Sequence, residues 1–156
     1  MDQISRVVIP VDTSDVSRVA AEQGAYFAKL LDVEVSIVSV NDTQQFMLST
    51  MLEQQIQRKK QTVLEEVSTI AKQHGVESKT VMLEGNPAQE ICRFIKDNDL
   101  VIMASQGRKG FNKFLLGSVS EEVVKNAPCP VMIIKEKGKR WSIDELRPDI
   151  KKPKKL

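Results

Sequence analysis

Short runs of apolar residues alternate along the chain with segments in which apolar and polar positions are mixed. Each run is four to eight residues long, and the first, Ser5 to Val11, is a nearly continuous β-branched series of the kind expected of a strand buried on both faces. The five runs cover Ser5 to Val11, Val33 to Val40, Ser78 to Leu83, Leu100 to Ala104 and Val131 to Ile134. We interpret them as five β-strands.

The segments between the runs carry apolar residues at steps of three and four, the spacing of one helix face. These stripes comprise Val16, Ala20, Gly24, Phe27, Ala28 and Leu31 in a first helix; Leu52, Ile56, Val63, Val67 and Ile70 in a second, from Met47 to Gln73; Ala88, Ile91, Phe94 and Ile95 in a third, capped by Asn86-Pro87; and Val119, Val123 and Val124 in a fourth, from Ser118. Strands that alternate with helices predict a mainly parallel sheet. Right-handed crossovers then favour a three-layer, doubly wound, Rossmann-like α/β fold with a five-stranded parallel sheet.

The pattern stops near residue 136, so we expect one domain over residues 1–136 and a flexible extension over residues 137–156. From Lys135 to Leu156 the chain has nine Lys/Arg and four Asp/Glu, whereas the preceding residues have 14 and 17. The extension is therefore basic. It could bind an acidic lipid, a nucleic acid or a protein, or it could simply be solvated. Trp141, the only tryptophan, either docks to a partner, packs on the domain or is exposed.

Composition narrows the class of protein further. The acidic body lacks the basic face that duplex nucleic acid requires, and no apolar run approaches the ~18 residues of a membrane span. The start, Met1-Asp2-Gln3, does not resemble a signal peptide. Two cysteines, Cys92 and Cys129, do not make a disulfide framework, so we expect a cytoplasmic location and packing roles for both.

Ligands of an open α/β sheet bind beyond the carboxyl ends of the strands, where the winding reverses. This rule selects the segments that leave the first and fourth strands. The first strand ends in Pro10-Val11-Asp12, and Asp12 is a candidate acid, metal ligand or helix cap. The fourth ends at Met103-Ala104, followed by a segment with Gly107, Arg108 and Gly110.

That second segment leads to Gly117-Ser118-Val119 at a helix start, where backbone N–H groups and the helix dipole favour an anion. Glycine there lets a phosphate approach the backbone without meeting a Cβ atom. The alternative is that Gly110 only makes a turn and Ser118 only caps the helix, while Arg108 faces water. Neither G-x-x-x-x-G-K-[ST] nor G-x-G-x-x-G occurs in the chain.

The segment VIMASQGRKGFNKFLLGSVSEEVVKNAPCPVMII, from Val101, resembles the signature region of the universal stress proteins. The nucleotide-binding branch of that family carries G-x2-G-x9-G-[ST], which falls here on Ala104, Gly107, Gly117 and Ser118. The N-terminal VVIPVDTSDVSRVAAEQGAYFAKLLDVEVSIVSV is similar as well, and the likeness spans about residues 4–135. Ala104 replaces the first glycine, and Gln106 stands where a histidine is common. We expect alanine to be tolerated, with a negative φ, because Ala104 directly follows a strand.

The resemblance implies a dimeric module that binds ATP or another adenine nucleotide. Residues around Pro10, Val11, Asp12 and Val40 would frame the adenine, and the glycine segment and the following helix start would hold ribose and phosphates, with Mg²⁺ on the phosphates. The complete expected set is Pro10, Val11, Asp12, Val40, Met103, Ala104, Gly107, Arg108, Gly110, Gly117, Ser118 and Val119. The expected homodimer pairs the edge strand Val131 to Ile134 with its twin.

Three functions are compatible with these features. The first is a regulatory stress-response module that binds ATP without efficient catalysis. The second is a nucleotide-free dimeric protein that acts through its dimer surface and basic tail. The third is a slow ATPase or nucleotidyl transferase.

Overall fold

Strands and helices alternate between Arg6 and Ile134 in a computed structural model that describes residues 3–42, 50–105 and 116–142. The elements are β1 (Arg6–Pro10), α1 (Asp15–Leu31), β2 (Glu34–Asn41), α2 (Thr50–Gln73), β3 (Ser78–Glu84), α3 (Pro87–Phe94), β4 (Asp99–Ala104), α4 (Ser118–Asn126) and β5 (Val131–Ile134). The five predicted strands and four predicted helices are therefore confirmed, with boundaries shifted by one or a few residues. The predicted start of α2 at Met47 lies outside the described residues.

The strands form one sheet in the order β3-β2-β1-β4-β5, and every neighbouring pair is parallel. The winding reverses between β1 and β4, as a doubly wound sheet requires. Alternate residues of β1 enter opposite cores: Val7 and Ile9 pack towards α1 and α2, and Val8 packs towards α3 and α4. Burial on both faces explains the apolar runs of β1, β2 and β4, whereas the edge strands β3 and β5 are only partly buried.

Three residues that we assigned to buried helix stripes are partly exposed instead: Leu31 is 39%, Leu52 40% and Val124 45% exposed. The 24 residues of α2 extend ~36 Å, whereas strands of five to eight residues extend ~17–26 Å. The first turns of α2, with Leu52, therefore project beyond the sheet. Leu31 ends α1, and Val124 lies a third of a turn away from Val123, which faces the core.

A buried ion pair fastens β1 to β4 at the amino end of the sheet. Arg6 Nε and Nη2 donate to the two carboxylate oxygens of Asp99 at 3.0 and 2.6 Å, and Asp99 is 1% exposed. The backbone N–H of Lys96 donates to the same carboxylate at 2.8 Å, and the guanidinium lies 4.7 Å from the Phe94 ring centre. Hydrogen bonding to Asp99, which outweighs the opposing effect of burial, raises the pKa of Arg6 above its ordinary value.

The chain beyond β5 turns back onto α1. Gln23 on α1 is 3% exposed, and its side chain bonds both main-chain groups of Trp141: Nε2 donates to Trp141 O at 2.9 Å, and Oε1 accepts from Trp141 N at 2.8 Å. The indole stacks on Tyr26, with ring centres 6.1 Å apart. Trp141 thus packs on the domain with one side, while 49% of its surface stays exposed. Flexibility of the remaining extension stays a prediction, since residues 143–156 lie outside the described ranges.

Replacing Arg6 by Met would leave the Asp99 carboxylate buried and without its cation. We expect the free energy of unfolding to fall by about 3 kcal/mol or more. Arg18→Met is the matched control, because Arg18 pairs with Glu66 and Asp15 on the surface and should cost less than about 1 kcal/mol. Urea denaturation measures both values, and equal losses would contradict a structural role for the buried pair.

Replacing Gln23 by Leu would remove both bonds to the Trp141 main chain. We expect Trp141 to leave Tyr26, so that its emission moves to longer wavelength and acrylamide quenches it more readily. Because Trp141 is the only tryptophan, fluorescence reports this contact alone. Gln61→Leu, at an exposed position of α2, should leave the spectrum unchanged. An unchanged spectrum in Gln23→Leu would show that the indole is held without Gln23.

Candidate functional site

The seam between β1 and β4 opens towards its carboxyl end. The two strands pair only from Arg6–Asp99 to Val8–Val101, although they continue to Pro10 and Ala104. On its other side β1 stays paired with β2 through Pro10–Val38, and Val11 N then donates to Val38 O at 2.8 Å. Strand β1 thus leaves β4 while it keeps β2. This parting lies where the winding reverses, which is the position of the ligand crevice in a doubly wound sheet.

Proline explains where the seam opens. Successive backbone groups of a strand point to opposite neighbours. Since Val11 N faces β2, the nitrogen of Pro10 faces β4, and proline has no N–H to donate there. The next donor of the ladder is missing, so pairing with β4 ends at the residues before it.

On the other side of the crevice, the start of α4 is tied to the end of β4. Gly117 N donates to Ser105 O at 2.8 Å, and the buried hydroxyl of Ser120 donates to Ala104 O at 2.9 Å. These bonds fix the helix N-terminus beside the open seam. The N–H groups in the first turn of a helix have no partner within the helix, so the α4 terminus offers donors and a positive dipole end to an anion.

The turn after β1 is organised by Asp12. Its Oδ1 accepts from Ser14 N at 2.8 Å, from Ser17 Oγ at 2.7 Å and from Ser14 Oγ, while Asp12 N donates to Ser17 Oγ at 2.9 Å. Of the three roles left open for Asp12, the helix cap comes nearest, but the N-cap of α1 is Ser14, and Asp12 instead orders the turn that precedes the helix. The bonds converge on one carboxylate oxygen, Oδ1.

Nine of the twelve expected site residues are described, and all nine lie at the carboxyl edge of the sheet or at the start of α4. Val11, Val40, Met103 and Ala104 are buried, so they would meet a ligand through backbone atoms, and the Ser118 side chain is exposed. Val119 packs on the core below α4. The other three residues, Gly107, Arg108 and Gly110, lie outside the described ranges.

Two details refine the sequence interpretation. The N-cap of α4 is Gly117, with φ −62°, rather than Ser118, which is the first helical residue. Among the described residues, Asp32 is the one non-glycine residue with a positive φ. Ala104 therefore sits at the end of β4 in ordinary strand geometry, and the expected negative φ is confirmed.

Sequence reasoning missed three polar residues around the crevice. Ser17 lies near Asp12 in the sequence, and Ser120 lies near Ser118. In each segment the presence of a second serine was the signal that could have identified them. Lys60 had no local signal, because it meets its partner, the Val40 carbonyl, across 20 residues of chain. Its ammonium donates to that oxygen at 2.7 Å.

Both cysteines are packed rather than poised for reaction. Cys92 and Cys129 are free, half-buried and in contact with the core cluster below α3 and α4. Burial is the main cause that raises the pKa of each thiol above 9.0, helped by Glu122 for Cys92 and by Asp99 for Cys129. The thiolate that reacts and binds metals is therefore disfavoured at neutral pH.

Residues 3–42, 50–105 and 116–142 contain neither a metal-binding cluster nor a membrane-spanning helix. No three His, Cys, Asp or Glu side chains gather there as a metal-binding set. No helix in the same ranges has both the length and the apolar character needed to span a membrane.

The parallel sheet, its order and the crevice at β1 and β4 define a doubly wound α/β protein of the Rossmann-like class. The model of the universal stress protein family matches residues 3–135. A relative, universal stress protein MJ0531 of Methanocaldococcus jannaschii, is 39% identical in an alignment of 142 positions that covers 86% of this chain and 84% of that protein. The chain belongs to the universal stress protein family.

Solved structures agree with this fold. Universal stress protein UspA from Lactobacillus plantarum superimposes with a TM-score of 0.76 at 19% identity, over 85% of this chain and 99% of that one. A universal stress protein in complex with cAMP gives 0.64 at 20% identity, over 85% and 98%. The Archaeoglobus fulgidus protein in complex with dAMP gives 0.62 at 21% identity, over 86% and 100%.

The raised thiol pKa values predict slow modification of both cysteines in the folded protein. At pH 7.5 we expect Ellman's reagent to react more slowly with native than with urea-unfolded protein, and the native rate to keep rising above pH 9, the ordinary pKa of a thiol. Above that pH the unfolded thiols ionise first, so stability should fall. Cys92→Ser and Cys129→Ser separate the two sites. A native thiol that reacts as fast as the unfolded one would contradict the packing role.

Proposed function

We propose that the protein is a regulatory stress-response module that binds ATP, or another adenine nucleotide, in the crevice beyond β1 and β4. The observation that carries this proposal is the open seam beside the anchored N-terminus of α4. Apolar strand ends next to helix N–H groups that have no partner within the helix suit a flat base joined to phosphates. The related structures in complex with cAMP and dAMP support an adenine nucleotide as the ligand class.

The base belongs, in this proposal, on the β1 and β2 side of the crevice. Pro10, Val11 and Val40 supply buried apolar walls and backbone groups there. Asp12 Oδ1 is engaged in its own turn, so Asp12 would meet the base or ribose through its other carboxylate oxygen.

The phosphates belong at the start of α4, where the N–H groups of Ser118 and Val119 and the Ser118 hydroxyl face the carboxyl edge. We assign Gly107, Arg108 and Gly110 to the same phosphate site, together with the backbone of Met103 and Ala104. Mg²⁺, when it accompanies ATP, is placed on phosphate oxygens. We assign no catalytic residue, so hydrolysis of bound ATP would be slow.

The proposal also includes a cytoplasmic homodimer joined through β5. This strand is at the edge of the sheet, and all four of its residues are half-buried. A short apolar edge of this kind is commonly covered by pairing with another strand. A second copy would extend the sheet and bury Val131 to Ile134.

ATP should raise the melting temperature of the wild-type protein, since a ligand at about 100 times its Kd adds roughly 2.7 kcal/mol of stability. In Ser118→Glu, the new carboxylate suits the helix dipole but repels phosphate, so the fold should persist while ATP affinity falls at least tenfold. Gln89→Glu places the same charge in the first turn of α3 and should change ATP affinity less than threefold. Scanning fluorimetry measures the melting temperatures, and titration calorimetry measures the ATP affinities.

Two results would point away from this function. Absence of co-purified nucleotide together with no thermal shift at millimolar ATP would contradict it and favour the nucleotide-free interaction protein. Multiple turnover of ATP that Ser118→Glu abolished would favour an ATPase.

A further inference from the structure

Strand β2 continues beyond the last residue of β1 with which it pairs, and this leaves a backbone carbonyl, that of Val40, on the wall of the crevice. The last β1–β2 pair is Pro10–Val38, whereas β2 continues to Asn41. Val38 O faces β1 and accepts from Val11 N, while Asn41 O faces the other way and accepts from Gly85 N. By the two-residue period of a strand, the carbonyl of Val40 points to the β1 side, where β1 has already turned away.

Lys60 occupies that acceptor. Its ammonium reaches from α2 and donates to Val40 O at 2.7 Å. The contact takes the position that an N–H of β1 would fill if the strand continued. It is made by a half-buried side chain with four rotatable bonds. A ligand that offers its own donor can therefore replace it.

We propose that Lys60 is a specificity-determining residue that selects between bases by the group they present to Val40; this inference rests on the nucleotide-binding function proposed above. A base with an exocyclic amino group competes with the charged ammonium for the Val40 carbonyl, because both are donors. A base with a carbonyl oxygen at the same position leaves Lys60 in place and accepts a hydrogen bond from it. Lys60 thus weakens binding of 6-amino purines and strengthens binding of 6-oxo purines.

The size of the effect follows from the exchange of one hydrogen bond. A displaced ammonium returns to water, so only the net value of the bond is lost, which corresponds to about three- to tenfold in affinity. Removing the ammonium should change the two classes of purine in opposite directions. This opposition separates the proposal from a general electrostatic attraction of Lys60 for phosphates, which both nucleotides share.

The experiment compares ATP with inosine triphosphate, which differs at the purine 6-position, on three proteins: wild type, Lys60→Met and Lys59→Met. Lys59 is the exposed neighbour on the same helix, so its variant has the same charge and length without the contact. In Lys60→Met we expect ATP to bind about three- to tenfold more tightly and inosine triphosphate more weakly. Lys59→Met should match wild type within twofold, and Trp141 emission and urea denaturation check that each protein is folded.

The outcomes distinguish this inference from the function on which it rests. The inference is supported if Lys60→Met is the only one of the three proteins that binds ATP. It is also supported if Lys60→Met binds ATP more tightly and inosine triphosphate more weakly than wild type. Equal affinities in all three proteins would overturn the role of Lys60 and leave nucleotide binding intact. An equal loss for both nucleotides in Lys60→Met would assign Lys60 to the phosphates and overturn the inference. Failure of every folded variant to bind either nucleotide would overturn both proposals.

Discussion

The pairing of β1 with β4 is the constraint on which the rest of the structure depends. At its amino end the seam is closed by the Arg6–Asp99 ion pair, in which a carboxylate that is 1% exposed has its cation and a backbone donor. At its carboxyl end the seam has no donor at Pro10 and opens. One strand is therefore held firmly at one end and released at the other, and the release creates the crevice beside α4.

The fold was predictable because parallel strands covered on both faces leave a clear pattern. The runs Val7 to Val11 and Leu100 to Ala104 predict strands from their own residues alone, because almost every position in them is buried and apolar. The helix faces were less certain, because a stripe shows which side of a helix is apolar but not how far the sheet reaches beneath it. Leu52 and Val124 are apolar at the right spacing and are nevertheless partly exposed.

The candidate site was predictable as a location, and its polar contacts were not. The winding rule and the family resemblance both selected the ends of β1 and β4. The bonds of Ser120 to Ala104, of Lys60 to Val40 and of Gln23 to Trp141 join residues 16, 20 and 118 positions apart. The local pattern of apolar and polar residues does not specify such contacts, because they depend on the position in which each segment packs against the rest of the fold. The Trp141 contact also assigns the first part of the basic extension to the surface of α1.

The central claim is that a nucleotide enters the opened end of the β1–β4 seam. The most direct test is a titration of isotope-labelled protein with ATP, followed through the backbone amide resonances. The account predicts shifts at Val11, Asp12, Val40 and Ser118 to Ser120, with little change at Arg6 and Asp99 at the closed end. Shifts centred elsewhere, or none at saturating ATP, would contradict it.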